Sequence, residues 1–144
     1  MNAPSPRATA LSAAGAAVAT LVPIALYQLH VTGSLPDPPG SCFDSERITM
    51  SKTAHPLGVP DSLLGLGSYG ATWTLLLVSG RAPWARKLLI GKLVLDGGMA
   101  GFNVVRQVVS FRKLCSWCTG TALATAVLVP AGLRYARQPC DENG

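Results

Sequence analysis

Four apolar runs, each close to the length of a membrane-crossing helix, occupy most of this chain and constrain its fold more than any other feature. They cover about residues 9–31, 61–79, 84–111 and 115–135 of 144. A helix of about 20 residues crosses the roughly 30 Å hydrocarbon core of a bilayer. Only 13% of the residues are charged and 49% are hydrophobic, which is unusual for a soluble domain. We predict an all-α polytopic membrane protein, a bundle of four transmembrane helices in a lipid bilayer.

The first run has a second interpretation as a cleaved signal peptide, because Arg7 precedes an apolar stretch rich in small residues. The run is longer than the roughly 7–15 residues of a signal core, which favours a retained helix. Residues 32–60 then form a long loop between the first two spans, with five prolines. Connections of this length are uncommon in compact bundles and usually functional.

The cations predict the orientation of the spans, because Lys and Arg concentrate in cytoplasmic loops. Six of them flank the spans on one side, namely Arg7, Arg81, Arg86, Lys87, Arg134 and Arg137. On the other side, Arg112 and Lys113 flank a span, and the long loop adds Arg47 and Lys52. We therefore expect a multi-pass protein of the plasma (inner) membrane, with both termini and the tail 136–144 in the cytoplasm and the loop 32–60 outside.

The net charge of +5 does not indicate a nucleic-acid partner. The twelve Lys and Arg residues occur in ones and twos between apolar runs. A nucleic-acid interface requires a basic face, commonly with aromatic residues among the cations. We predict no nucleic-acid binding.

The motif CSWC opens the fourth run with two thiols three residues apart, Cys115 and Cys118. One helical turn brings both sulfurs to the same face, and the positive end of the helix dipole favours a thiolate there. The predicted orientation places the pair outside, together with Cys42 of the loop, where disulfides form and persist. Cys140 falls on the opposite side and is predicted to be a bystander. The spacing therefore predicts thiol–disulfide exchange, with Cys115, Cys118 and Cys42 as candidate catalytic residues.

Two other interpretations of the CxxC remain open. One is a zinc half-site completed by Cys42, His30 or His55, and the other is a static disulfide. Structural zinc sites commonly carry a second CxxC or a pair of closely spaced histidines, and the chain has neither. We predict no metal site.

The four runs, the long loop with Cys42, the stretch LGVPDSLLGLGSYG and the motif CSWC together resemble the bacterial branch of the vitamin K epoxide reductase family, over about residues 10–136. The resemblance implies a four-helix membrane bundle that passes electrons from thiols to a quinone, menaquinone or ubiquinone. It also implies an extracytoplasmic thioredoxin-like thiol partner. By the same resemblance Cys118 faces the quinone, Cys115 exchanges with the loop, and Cys42 matches the first of two loop cysteines.

One position departs from the family pattern, because Met50 stands where the second loop cysteine is expected. A thioether forms no disulfide, so the relay lacks one carrier. Cys42 could attack the CxxC disulfide itself, or an external thiol could reach Cys115 or Cys118 directly. Alternatively the chain is a non-catalytic membrane scaffold or partner-binding subunit that retains the fold. We favour a shortened but working thiol:quinone oxidoreductase.

Two residues are predicted to contact the quinone. By the resemblance, Asp61 occupies a position that usually hydrogen-bonds the quinone, whereas an aromatic residue expected after the CxxC is replaced by Ala122. Asp61 also precedes an apolar run and is expected above all to cap the second span, with Ser62 as the rival capping residue. Trp117 lies between the two thiols and is interpreted either as an interfacial anchor or as a flank of the quinone ring.

The third span carries a polar stripe, since Asp96, Asn103, Arg106 and Ser110 follow helical spacing. Such residues normally face the bundle interior. We expect a packing network with Lys92 paired to Asp96, and a proton path is the alternative. Small residues in the second and third spans are expected where backbones meet, at Gly65, Gly67, Gly70, Gly97, Gly98 and Gly101.

Overall fold

The computed structural model describes residues 2–139. Within that range the chain folds into helices without a β-strand, which confirms the all-α class. The helices are α1 (Pro6–Gln28), α2 (Ser45–Thr49), α3 (Asp61–Val78), α4 (Pro83–Arg106) and α5 (Ser116–Arg137). Two 3₁₀ turns, Lys52–Ala54 and Pro56–Gly58, lie before α3, and a π-helical turn, Gln107–Phe111, extends α4.

Three helical segments are long and apolar enough to cross a membrane by length and composition, namely Pro6–Gln28, Pro83–Phe111 and Ser116–Arg137. They support the predicted membrane character of the chain. Helix α3 is not among them. Its 18 residues include Asp61 and several Gly, Ser and Thr residues, which lower its mean hydropathy. A bundle of four membrane spans therefore stays a prediction.

The four long helices contact each other in pairs: α1 lies against α3 and α5, and α4 lies against the same two helices. The face that α1 presents to its neighbours is built from alanines at helical spacing, Ala10, Ala13, Ala14 and Ala17, all buried. Alanine side chains let two helix backbones approach closely, which is how helices associate where no water drives them together.

Glycine packing follows the prediction at two of six positions. A Cβ added at Gly65 would lie 3.0 Å from Leu21, and one at Gly97 would lie 3.3 Å from Val129. No neighbouring atom lies within 4 Å of a Cβ added at the other four, Gly67, Gly70, Gly98 and Gly101. The tightest approach instead involves Gly132 of α5, which the sequence did not indicate.

The helix ends differ from the predicted spans by a few residues. Helix α1 ends at Gln28 rather than near residue 31, and His30 turns the chain with a positive φ of 59°. Helix α5 continues to Arg137, into the segment predicted as a tail. The remainder of that tail from residue 140, including Cys140, lies outside the described residues.

Candidate active site

The two cysteines of the CxxC form a disulfide, with 5.1 Å between their Cα atoms. Cys115 is the N-cap of α5, with extended backbone, and its sulfur accepts the backbone N–H of Cys118 at 3.1 Å. The helix start therefore places both sulfurs together, as the spacing predicted. Their exposure differs, because Cys115 is fully buried and Cys118 is half-buried.

Gln107 holds the backbone of the disulfide. Its Oε1 accepts the N–H of Cys115 at 2.8 Å, and its side chain is buried. The residue opens the π-helical turn at the end of α4, a distortion that often occurs at functional sites. The sequence analysis predicted no role for Gln107, although a side-chain amide in an apolar span was a signal for one.

The loop that carries Cys42 runs beside the CxxC. The N–H of Leu114 donates to the carbonyl of Cys42 at 2.9 Å, and the N–H of Asp44 donates to the carbonyl of Leu114 at 3.0 Å. Phe43 and Leu114 thereby form a short parallel bridge. Cys42 itself is a free, exposed thiol. The exposed thiol therefore belongs to a residue, Cys42, that is hydrogen-bonded to Leu114, the residue before buried Cys115.

Asp37 joins the same loop to the start of α5. Its carboxylate accepts the N–H of Ser45 at 2.8 Å and the hydroxyl of Ser116 at 2.6 Å, and the hydroxyl of Ser45 also donates to it. Ser116 in turn donates its backbone N–H to the Ser45 oxygen at 3.0 Å. Partial burial acts to raise the pKa of Asp37, but the hydrogen bonds from Ser116 and Ser45 outweigh it and hold that pKa below its usual value.

Trp117 also contacts the loop. Its indole N–H donates to the carbonyl of Pro36 at 2.9 Å, so that the ring attaches the loop to α5. Trp117 is not among the residues that line the cavity beside Cys118. Its predicted contact with a quinone ring stays a prediction.

A cavity of about 390 Å³ adjoins the disulfide, and Cys118 contributes to its wall while Cys115 does not. Its volume lies within the roughly 300–1,000 Å³ of small-molecule sites. All four long helices and the loop supply side chains. The apolar lining includes Leu21, Ile24, Leu64, Met99 and Phe102, and the polar lining includes Asp61, Ser68, Asp96, Asn103 and Arg106.

The prediction that Asp61 caps the second span is wrong. Helix α3 begins one residue earlier than that role requires, so its N-cap is Pro60, with no side-chain cap. The Asp61 carboxylate instead accepts the Gln28 amide at 3.1 Å and lies 3.8 Å from the Arg106 guanidinium. The rival cap is wrong as well, because the Ser62 hydroxyl donates to Gln28. The end of α1 and the end of α4 offer Asp61 and Ser62 partners that local sequence does not reveal.

The polar stripe of α4 is only partly continuous. Asp96, Asn103 and Arg106 line the cavity, whereas Ser110 is exposed because the wider π-helical turn places Phe111 against the core instead. Lys92 and Asp96 form the predicted ion pair.

Asp96 also accepts the hydroxyl groups of Ser68, at 3.0 Å, and Thr72, at 2.6 Å. The buried carboxylate is thus fully bonded. Among residues 2–139, no three His, Cys, Asp or Glu side chains cluster as a metal site.

The apolar helices and the disulfide beside a cavity define a class of protein, a helical membrane protein with a paired CxxC motif. The chain matches the model of the vitamin K epoxide reductase family over residues 7–133, and it belongs to that family. Members are in general membrane oxidoreductases linked to quinones. No curated protein matches the chain.

Proposed function

We propose that the protein is a thiol:quinone oxidoreductase that supports disulfide formation outside the plasma membrane, with α1, α3, α4 and α5 as a bundle of four spans. One observation carries the proposal: of the two disulfide-bonded cysteines, only Cys118 lines the cavity of about 390 Å³. Cys118 therefore borders a space large enough for a small molecule, whereas Cys115 is buried beneath the outer loop.

The cavity residues fit a quinone. An aromatic ring with two carbonyl oxygens requires an apolar wall with a few polar groups, and the lining has that composition. Menaquinone and ubiquinone both meet this description. The side chains that would hold the ring include Met99 and Phe102, with Asp61 and Arg106 at the polar end. A bound quinone accepts two electrons and two protons, which allows the reduced cysteine pair to return to the disulfide.

The thiol side of the reaction must reach a buried sulfur. Cys115 has no exposed surface, so an external thiolate cannot attack it while the loop is docked. Cys42 is exposed and its carbonyl is bonded to Leu114. In our proposal the Cys42 thiolate attacks Cys115, forming a Cys42–Cys115 disulfide and releasing the Cys118 thiolate beside the cavity.

The external dithiol then completes the exchange. Its first thiolate attacks the sulfur of Cys42, which releases the Cys115 thiolate and forms a mixed disulfide. Its second thiolate attacks that mixed disulfide, which releases Cys42 and leaves the partner oxidised. Two electrons have moved from the partner to Cys115 and Cys118. Each step needs one thiolate and one accessible disulfide, so the exchange proceeds without a second loop cysteine at Met50.

The proposed orientation follows from the distribution of cations, with both termini in the cytoplasm and Cys42 outside. The partner is then an extracytoplasmic thioredoxin-like protein with two thiols. The oxidising compartment on that side is where its disulfide product persists.

The test is quinone-dependent oxidation of a reduced thioredoxin-like protein by membranes that contain the native chain. We expect Cys118→Ala to abolish turnover and Cys42→Ala to reduce it strongly, while Cys140→Ala serves as the matched cysteine control. Met50→Cys should raise the rate, with Met50→Ser as its control, because it restores the absent carrier.

The scaffold alternative gives the opposite result. Alkylation after isolation without reductant would then find Cys115 and Cys118 always free, and added quinone would not change their labelling.

A further inference from the structure

Arg106 has a buried donor without a partner. Among the described residues 2–139, its Nε is the buried side-chain nitrogen that has no hydrogen-bond acceptor. The other two nitrogens of the guanidinium are engaged: Nη1 donates to the carbonyl of Thr53 at 2.8 Å, and Nη2 lies 3.8 Å from the Asp61 carboxylate. Arg106 also lines the cavity that Cys118 borders.

The two engaged nitrogens restrict the guanidinium. Rotation of the group toward solvent would break the bond to Thr53 and separate the charge from Asp61. A buried donor that stays unsatisfied is unfavourable, and more so when it is charged. The site therefore favours an occupant that brings an acceptor oxygen to Nε.

Other hydroxyl donors in the cavity lining are already used. The Ser62 hydroxyl donates to Gln28 and the Ser68 hydroxyl to Asp96, while the Tyr69 hydroxyl bonds with Thr125 at 2.5 Å. Arg106 keeps a free N–H beside this lining.

We propose that Arg106 donates its Nε–H to a carbonyl oxygen of the quinone in the cavity and is the residue that orients the ring toward Cys118. The inference rests on the proposed function. A hydrogen bond from a charged donor is roughly twice as strong as a neutral one. It also draws electron density toward the quinone oxygen, so that the cation favours electron transfer. The Cys115 and Cys118 thiolates supply the two electrons as their S–S bond reforms. The two protons are those that the partner's thiols lost to solvent on becoming thiolates, and the quinone takes them up from water.

The test uses the full chain in nanodiscs and menaquinone labelled with ¹³C at its carbonyls, read by infrared difference spectroscopy. In the native protein we expect one carbonyl band at lower frequency than for menaquinone in empty nanodiscs. Arg106→Gln should return that band toward the unbound position and weaken binding about tenfold to a hundredfold. Val105→Ala, at an exposed position of the same helix and outside the cavity lining, is the matched control and should leave the shifted band in place.

Arg106→Lys separates charge from geometry, because it keeps the cation but lacks the planar N–H; we expect an intermediate shift. The Cys115–Cys118 disulfide, assayed by mass spectrometry, reports whether each variant has folded. An unshifted carbonyl band in the native protein overturns the inference without any variant, and so does a band that is equal in the native protein and Arg106→Gln. If the native protein binds and reduces the quinone but its carbonyl band is unshifted, the proposed function stands and only the role of Arg106 is contradicted. If the native protein binds no quinone, both the proposed function and the role of Arg106 are contradicted.

Discussion

Gln107 and Cys115 are joined by a hydrogen bond of 2.8 Å between the side-chain oxygen of one and the backbone N–H of the other. Both residues are almost wholly buried. The bond connects the π-helical turn of α4 to the first residue of the CxxC motif, so the position of the disulfide depends on how α4 ends.

Replacing Gln107 should therefore destabilise the protein. Gln107→Leu keeps the approximate volume but leaves the N–H of Cys115 without an acceptor, and a buried unsatisfied donor costs about 1–3 kcal/mol. We expect the free energy of unfolding in mixed micelles to fall by that amount. Val109→Ala, at an exposed position of the same turn, is the control and should cost much less. Equal losses in the two variants would contradict this account of Gln107.

The carboxylate of Asp37 should protect the disulfide from external reductant. Asp37→Asn removes a charge that accepts bonds from Ser45 and Ser116, so the loop should undock more often and uncover Cys115. We expect reduction by a water-soluble phosphine at pH 7 to be roughly tenfold faster, because a hydrogen bond to a charged group contributes about 1.5–3 kcal/mol. Asp44→Asn is the matched loop control, since the Asp44 carboxylate accepts only the Arg47 N–H that caps α2.

The same carboxylate makes loop docking dependent on pH. The pKa of Asp37 in the folded protein lies below its usual value of about 3.9. Its stabilising contribution is therefore complete above that usual value and is lost as the pH falls through the lower, folded pKa. We expect the rate of disulfide reduction in the native protein, divided by the rate in Asp44→Asn, to be constant between about pH 5 and 8 and to rise only in stronger acid. An acid-dependent rise that persists in Asp37→Asn would assign it to another group.

The features of this fold that depend on neighbours along the chain could be predicted from the sequence, and the contacts between distant residues could not. Run length and apolar character predicted the helices, and the spacing of Cys115 and Cys118 predicted their pairing, because both depend on neighbours along the chain. The Asp37–Ser116 contact joins residues 79 positions apart, and no local pattern indicates it. Asp61 was misassigned for the same reason, since its partners Gln28 and Arg106 lie on other helices.

The ion pair of Lys92 and Asp96 should be stronger than a surface pair. The Asp96 side chain is 3% exposed and that of Lys92 is 17% exposed, so Lys92→Met leaves a buried carboxylate without its countercharge. We expect a loss of about 3–5 kcal/mol in the free energy of unfolding. The double variant Lys92→Met with Asp96→Leu should recover much of that loss, because no isolated charge remains.

The matched control for the ion pair is Lys87→Met, at an exposed position of the same helix, where we expect little change. Strictly additive effects of Lys92→Met and Asp96→Leu in the double-variant cycle would show that the two groups are not coupled.

Gly132 determines how closely α5 approaches α4. A Cβ at this position would lie 2.6 Å from Cδ1 and 3.1 Å from Cδ2 of Leu93. Leu93 is fully buried, so either its side chain must shift within a packed core or the two helices must separate. Gly132→Ala should lower the free energy of unfolding by about 1–3 kcal/mol, the usual cost of overpacking. Unfolding in mixed micelles measures it.

The control substitution has the opposite expected sign. Gly98→Ala adds the same methyl group where no neighbouring atom lies within 4 Å, and alanine favours a helix interior over glycine by about 0.5–1 kcal/mol. Leu93→Val combined with Gly132→Ala should restore part of the lost stability, because it removes bulk from the contact. A stabilising Gly132→Ala would mean that α4 and α5 are farther apart in the membrane than their packing here requires.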